Sequence, residues 1–210
     1  LVDFNYGMDA YKKTDLELPI LFASEKSGYV DTERGRVTEI AYTAGDLRNL
    51  GASGVKLLIY FNPGDESSKI QIQVAKKVLE DAHENGLPLF LEIVHYDMEP
   101  QVPESVSLFL DSGVNADVFK LEFPGNLKKA EEVTQALGNI PWILLTRGVD
   151  FDEFKERLSL CVEGGCRGFL AGRALWKELP TLKTEKEVVD FLENTLPKRF
   201  KEISQICSPH

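Results

Sequence analysis

Three charged side chains interrupt runs that are otherwise apolar: Lys56 in GVKLLIYF, Glu92 in PLFLEIV and Lys120 in DVFKLEF. An ammonium or carboxylate inside a strand is either at a wet edge, snorkelling to solvent, or held inside for chemistry. Three such departures from patterning in segments of one type favour the last reading, because local rules are broken mostly at functional sites. The chemistry that needs a buried lysine is imine formation with a ketone or aldehyde. The amine must be neutral to attack, whereas an ordinary lysine, with a pKa of about 10.4, is protonated at neutral pH. Burial and a neighbouring cation both lower that value, and Lys56 near Lys120 supplies the cation. Glu92 then moves protons during carbinolamine dehydration and carbon–carbon cleavage. Zinc chemistry fits poorly, since His83, His95 and His210 are too few and too scattered for a three-histidine site.

Two further stretches read as an anion site. LLTRGVD (144–150) ends a strand and opens a helix at Asp150–Glu153, with Gly148 at the turn. GFLAGRALW (168–176) does the same, with Gly172 and Arg173 leading into a short helix. Backbone N–H groups at such helix starts cradle phosphate in barrels, and an arginine adds a bidentate contact. Read plainly, both are βα turns whose glycines serve geometry alone.

The elements that must position these residues alternate. Apolar runs at 1–4, 19–24, 54–61, 88–94, 117–123, 141–146 and 167–171 have the length and the Val, Ile, Leu and Phe content of buried strands. Helical stretches lie near 65–86, 102–113, 126–138, 150–164 and 184–204, and Ile70, Val74, Val78 and Ala82 recur at helical spacing. Gly86, Gly113 and Gly138 stand where helices should end. Strand alternation puts Lys56, Leu58 and Tyr60 on one face, and Val118, Lys120 and Glu122 on one face. Repeated βα units build a doubly wound sheet or a closed barrel, and neither a GxGxxG nor a Walker A sequence is present. Seven strands in 210 residues, opening inside the strand-like LVDF, fit a (β/α)8 barrel of about 250 residues whose first β/α unit lies upstream. No low-complexity linker divides the chain, so residues 1–210 read as a single, partial TIM-barrel domain.

The formal net charge of −10 argues against nucleic acid as a partner, because an acidic surface repels phosphate backbones. No apolar run approaches the ~20 residues that cross a bilayer, which argues against a membrane partner. Cys161, Cys166 and Cys207 are odd in number and lack CxxC spacing, pointing to a reducing compartment, the cytoplasm. The ionic stretch SEKSGYVDTERGR (24–36), with Glu25, Lys26, Arg34 and Arg36, either lines the mouth, forms a subunit contact, or is merely solvated.

The ordered set ASEKSGYVDTERGRVTEI, GVKLLIYFNPGDE, FLEIVHYD, ADVFKLEFPGN, LLTRGV and AGRALW resembles the class I tagatose 1,6-bisphosphate aldolase and sulfofructosephosphate aldolase family. The resemblance implies a (β/α)8 barrel that cleaves a phosphorylated or sulfonated ketose through a lysine Schiff base. Dihydroxyacetone phosphate and an aldehyde are the implied products, and no cofactor or metal is required. Residue by residue, it gives Lys120 as the imine-forming lysine, Glu92 as the proton-shuttling acid and Lys56 as the second lysine. The family's phosphate motifs match Thr146, Gly148, Gly172 and Arg173. LTRG departs from the serine-containing LSAG form, so Arg147 either changes the anion preferred or points outward. The family's earlier strand, with an Asp in a short polar motif, has no match here. A phosphate-binding barrel isomerase or epimerase and a non-catalytic sugar-phosphate sensor stay open as alternatives. Exposed barrel helices also allow a homo-oligomer.

Overall fold

The computed structural model describes residues 1, 7–14 and 18–208. After a short helix α1 (Met8–Lys12), six strands form one sheet: β1 (Leu21–Ala23), β4 (Gly54–Phe61), β5 (Leu89–His95), β6 (Val118–Leu121), β7 (Trp142–Leu145) and β8 (Phe169–Leu170). They lie side by side in that order, and every pairing is parallel. A separate antiparallel pair, β2 (Val30–Thr32) and β3 (Gly35–Val37), is inserted after β1, followed by α2 (Ala44–Asn49). The crossovers are α3 (Ser67–Glu84), α4 (Val102–Asp111), α5 (Leu127–Leu137) and α6 (Phe151–Glu163). Beyond β8 come α7 (Arg173–Trp176), α8 (Glu185–Asp190), a π-helical turn at Phe191–Thr195, and α9 (Leu196–Ile206). The expected strand over 1–4 lies outside the described residues beyond Leu1.

The strands are apolar on both faces because both are covered. In β4, Val55, Leu57, Ile59 and Phe61 are fully buried, in one core cluster with Ile72, Ala75, Val78, Leu79 and Ala82 of α3. Their alternates Lys56, Leu58 and Tyr60 point the other way. In α3 the buried stripe is not the Ile70, Val74, Val78, Ala82 series, for Ile70 is exposed and Val74 only partly buried. A strict four-residue step overruns the 3.6-residue turn by about 40°, so the ends of such a series cannot share one face.

The strand at 54–61 is found as expected, and those at 19–24, 88–94, 117–123, 141–146 and 167–171 are found with ends moved by up to a few residues, the last reduced to Phe169–Leu170. The helix expected over 184–204 is broken in three. Pro197 stands at the start of α9 and lacks the N–H that would continue the ladder, and the π-helical turn precedes it. Sequence patterning missed the β2–β3 hairpin and α2. The hairpin strands are exposed or half-buried and so carry no apolar alternation. Among the described residues, no helix is long and apolar enough to cross a membrane.

The hairpin is docked by packing that only glycine permits. Gly35 has φ +109°, and a Cβ there would lie 2.5 Å from Ser67 Oγ and 2.7 Å from the Tyr96 hydroxyl. Next to it the Arg36 guanidinium sits between the Tyr29 and Tyr96 rings, 4.3 and 4.4 Å from their centroids. Tyr29 in turn meets Tyr60 of β4 edge-on at 4.7 Å. The hairpin is thus fastened to the strand that carries Lys56.

Candidate active site

Parallel register decides which charged groups meet. Glu92 is the Cα partner of Lys120 on one side and of Leu58 on the other, while Lys56 is one step back, opposite Phe90. Side chains of paired residues in adjacent strands stand side by side on one face. Glu92 Oε1 therefore lies 2.8 Å from Lys120 Nζ, and its Oε2 lies 3.2 Å from Lys56 Nζ. All three side chains are more than nine-tenths buried. One carboxylate bridges two lysines.

A fourth member joins them. Glu25 Oε1 makes a short ion pair with Lys56 Nζ, and the Glu25 side chain is as buried as its partner. Sequence reasoning left Glu25 open between the mouth of the site, a subunit contact and a solvated loop. The available signal was register, for Ala23 pairs with Lys56 and Glu25 is the next residue on the same face. The rest of that stretch stays on the hairpin, with Lys26 on Glu39 at 2.9 Å and Arg36 near Asp31 and Asp97 at 3.5 Å each.

The two lysines titrate in opposite directions. For Lys120, burial dominates and holds the ammonium below its ordinary value; Glu92 opposes this, and the Lys56 cation reinforces it. For Lys56, burial also pulls down, but Glu25 and Glu92 together outweigh it and hold the group above its ordinary value.

A cavity of about 460 Å³ opens over this cluster. It is lined by Leu58 and Tyr60 of β4, Glu92 and Val94 of β5, Lys120 of β6, and the turns after β7 and β8. Strands four positions apart in the sheet share it, so the sheet curves around the cavity at its C-terminal edge. The volume suits a small ligand.

Thr146, Arg147, Gly148, Gly172 and Arg173 all border this cavity. Gly148 has φ +76°, and a Cβ there would stand 3.4 Å from Arg173 Nη2, so the arginine lies across the turn. Arg173 is exposed and has no hydrogen-bond or ion-pair partner among the described residues. The helix starts themselves differ from expectation. The α6 start already carries Asp150, Asp152 and Glu153, with Asp150 paired to Lys177 at 2.7 Å, and α7 is a single turn. The groups able to hold an anion are therefore the Thr146–Gly148 turn and Arg173, rather than two helix ends. Arg147 does not point outward. At φ +51° it turns back, its Nε 2.6 Å from Glu122 Oε1 and its Nη2 donating to the His95 carbonyl at 2.6 Å.

Glu122 was placed on the Lys120 face by alternation, but β6 ends at Leu121 and the carboxylate turns elsewhere. Its Oε2 accepts from the His95 amide at 2.7 Å and meets His95 Nδ1 at 2.6 Å. His95 Nε2 lies 2.8 Å from Ser105 Oγ on α4, and all three side chains are buried.

Comparison with known proteins accords with this geometry. Residues 1–178 match the family model described as DeoC/LacD family aldolase. The tagatose 1,6-diphosphate aldolase of Staphylococcus haemolyticus (strain JCSC1435) is 29% identical, with 98% of this chain and 76% of that protein covered. The enzyme of the same name from Staphylococcus aureus (strain JH9) is 30% identical over 84% of this chain and 66% of its own. Among solved structures, an archaeal fructose 1,6-bisphosphate aldolase superposes with TM-score 0.64 at 19% identity, covering 91% of this chain and 75% of that one. Another archaeal fructose-1,6-bisphosphate aldolase, with its catalytic lysine bound to the carbinolamine intermediate, gives TM-score 0.66 at 18% identity, covering 92% and 74%. These superpositions establish a TIM-barrel-like α/β fold.

Proposed function

This chain belongs to the DeoC/LacD family of aldolases and is a lyase; we propose that it cleaves a phosphorylated or sulfonated ketose through an imine on Lys120, releasing dihydroxyacetone phosphate and an aldehyde. The observation that carries the proposal is Glu92 bridging two lysines beneath a cavity that Arg173, without a partner among the described residues, also lines.

In this reading the neutral Lys120 amine attacks the substrate ketone, and Glu92 passes protons as the carbinolamine forms and loses water. The resulting iminium withdraws electrons from the adjacent carbon–carbon bond. That bond breaks as the hydroxyl proton of the departing fragment is removed, so an aldehyde leaves and an enamine remains. Protonation of the enamine carbon and hydrolysis of the imine then return Lys120 and release the ketone. The Lys56 ammonium holds Glu92 Oε2 in place and helps depress the Lys120 amine. Arg173 and the Thr146–Gly148 turn hold the substrate's anionic group, and their distance from Lys120 across the cavity selects a substrate with a charged end. One continuous core under one sheet supports residues 1–210 as a single catalytic domain.

The test is the intact mass of the protein incubated with dihydroxyacetone phosphate and reduced with borohydride, beside Lys120→Met. An adduct on the unmodified protein and none on the variant is expected. A folded, unmodified protein that gains no mass excludes the imine and returns the site to an isomerase or a sensor.

A further inference from the structure

Lys56 and Lys120 are both buried, both on strands facing one carboxylate, and either amine is chemically capable of forming an imine. What distinguishes them is the number of carboxylates each faces. Lys120 has Glu92 alone at 2.8 Å, whereas Lys56 has Glu92 at 3.2 Å and Glu25 in a shorter ion pair. The Glu25 carboxylate is ion-paired directly to Lys56 and acts on Lys120 only more weakly, through space; its other oxygen, Oε2, is buried without a hydrogen-bond partner among the described residues. The backbone fixes this arrangement. The Ser24 amide donates to the Lys56 carbonyl at 2.9 Å, the Ser24 carbonyl accepts from the amides of Ala41 and Tyr42, and Glu25 itself forms a β-bridge with Ile40. A buried carboxylate with one cationic partner and no access to bulk water holds that partner charged, since losing the proton would leave the carboxylate alone in a low dielectric.

We infer that Glu25 is a positioning residue that selects the nucleophile: it keeps the Lys56 ammonium charged on the far side of Glu92, so that Lys120, the lysine bordering the cavity, is the one that becomes a free amine. The inference rests on the imine reading above and deepens it. Two lysines in one site would otherwise compete for the carbonyl and for Glu92. The second carboxylate breaks that symmetry.

Limited reductive methylation with formaldehyde and a borane at neutral pH, read lysine by lysine by peptide mass mapping, measures the free-amine fraction directly. Formaldehyde is small enough to enter where a sugar phosphate is not. In the unmodified protein Lys120 should react faster than Lys56. In Glu25→Gln the Lys56 rate should rise about tenfold, the effect of one pKa unit, while exposed Lys201 does not change. Glu25→Asp, which keeps the charge, should restore the original order. Lys56→Met leaves Glu92 wholly to Lys120 and removes the neighbouring cation, so Lys120 methylation should fall about tenfold. This last variant keeps the inference testable should Glu25→Gln fail to fold. An unchanged Lys56 rate in Glu25→Gln that melts like the unmodified protein overturns the role of Glu25, and so does an unchanged or faster Lys120 in Lys56→Met. If dihydroxyacetone phosphate gives a borohydride-stable adduct on Lys120 while these rates stay flat, only the selector role is lost. If the rates move as expected but no adduct forms, the ordering of the amines stands and the aldolase reading fails.

Discussion

Glu92, in the middle of β5, and Glu122, just past the end of the neighbouring β6, are both buried and both ionically paired, and they differ in what surrounds them. Glu92 touches two lysine side chains and borders the cavity. Glu122 is gripped by a backbone amide, an imidazole and a guanidinium, and its partner His95 runs outward to Ser105 on α4. The hydroxyl, imidazole and carboxylate of Ser105, His95 and Glu122 follow the order of a nucleophilic triad, yet the Ser105 side chain is wholly buried and no substrate can reach it. The difference teaches that burial and pairing alone do not mark a reactive acid. What marks Glu92 is its place on the cavity wall and one partner, Lys120, whose ammonium is held below its ordinary value; Glu122 has fixed donors and holds strand ends together.

The largest expected effect follows from that contrast. Glu92→Gln preserves shape and removes the proton carrier, so turnover per folded molecule should drop about 10²- to 10⁴-fold, on top of the stability lost when two buried lysines lose their shared carboxylate. Glu122→Gln should cost stability alone. It leaves the His95 ring and Arg147 without their buried anion and should cost about 3–5 kcal/mol of stability, measured by urea unfolding, with turnover per folded molecule nearly kept. A folded, stable Glu122→Gln protein with collapsed turnover would break the division between the two acids.

The arginines sharpen the same contrast at a smaller scale. Arg173 is unpartnered at the cavity wall, and Arg147, on the same cavity, is committed to Glu122 and the His95 carbonyl. Arg173→Ala should raise KM for the phosphorylated substrate about 10-fold or more, the loss of one charge-assisted contact of about 1.5–3 kcal/mol. Arg147→Ala should instead lower stability and move KM less. Steady-state kinetics beside thermal melts separates the two, and equal KM effects would mean that Arg147 also reads the anion.

Much of this was legible before any coordinates. Lys56, Glu92 and Lys120 announced themselves because a charge inside an apolar strand is costly; that they share one face came only from strand register. Gly148 and Arg173 were visible as turn chemistry. Glu25 was not, because it lies just past a three-residue strand and its role depends on register with a strand some thirty residues on. The grouping of His95 with Ser105 and Glu122 also escaped notice, since a single histidine on a strand and a serine on a helix carry no periodic signal, and only the packing of α4 on β5 brings them together. The hairpin escaped for a related reason: it is held by stacking on Arg36 and by the close approach at Gly35, neither of which leaves an apolar pattern.

The smallest effect lies inside the Glu92 cluster, where two lysines should pull stability in opposite directions as pH rises. Lys120 titrates below its ordinary value of 10.5, so the unfolded chain binds the extra proton. Its burial therefore costs stability below the folded pKa, and that cost is relieved as pH climbs from there towards 10.5. Lys56 titrates above 10.5, so its contribution is fully present below that value and is lost as pH rises through the folded pKa. Urea unfolding from neutral to alkaline pH should therefore show a rising segment that disappears in Lys120→Met and, at higher pH, a falling one that weakens in Lys56→Met. In Glu25→Gln the falling segment should move to lower pH, because the carboxylate that keeps Lys56 charged is gone. A Glu25→Gln profile that overlays the unmodified one would mean that Glu92 alone holds Lys56, leaving the two lysines distinguished only by which of them borders the cavity.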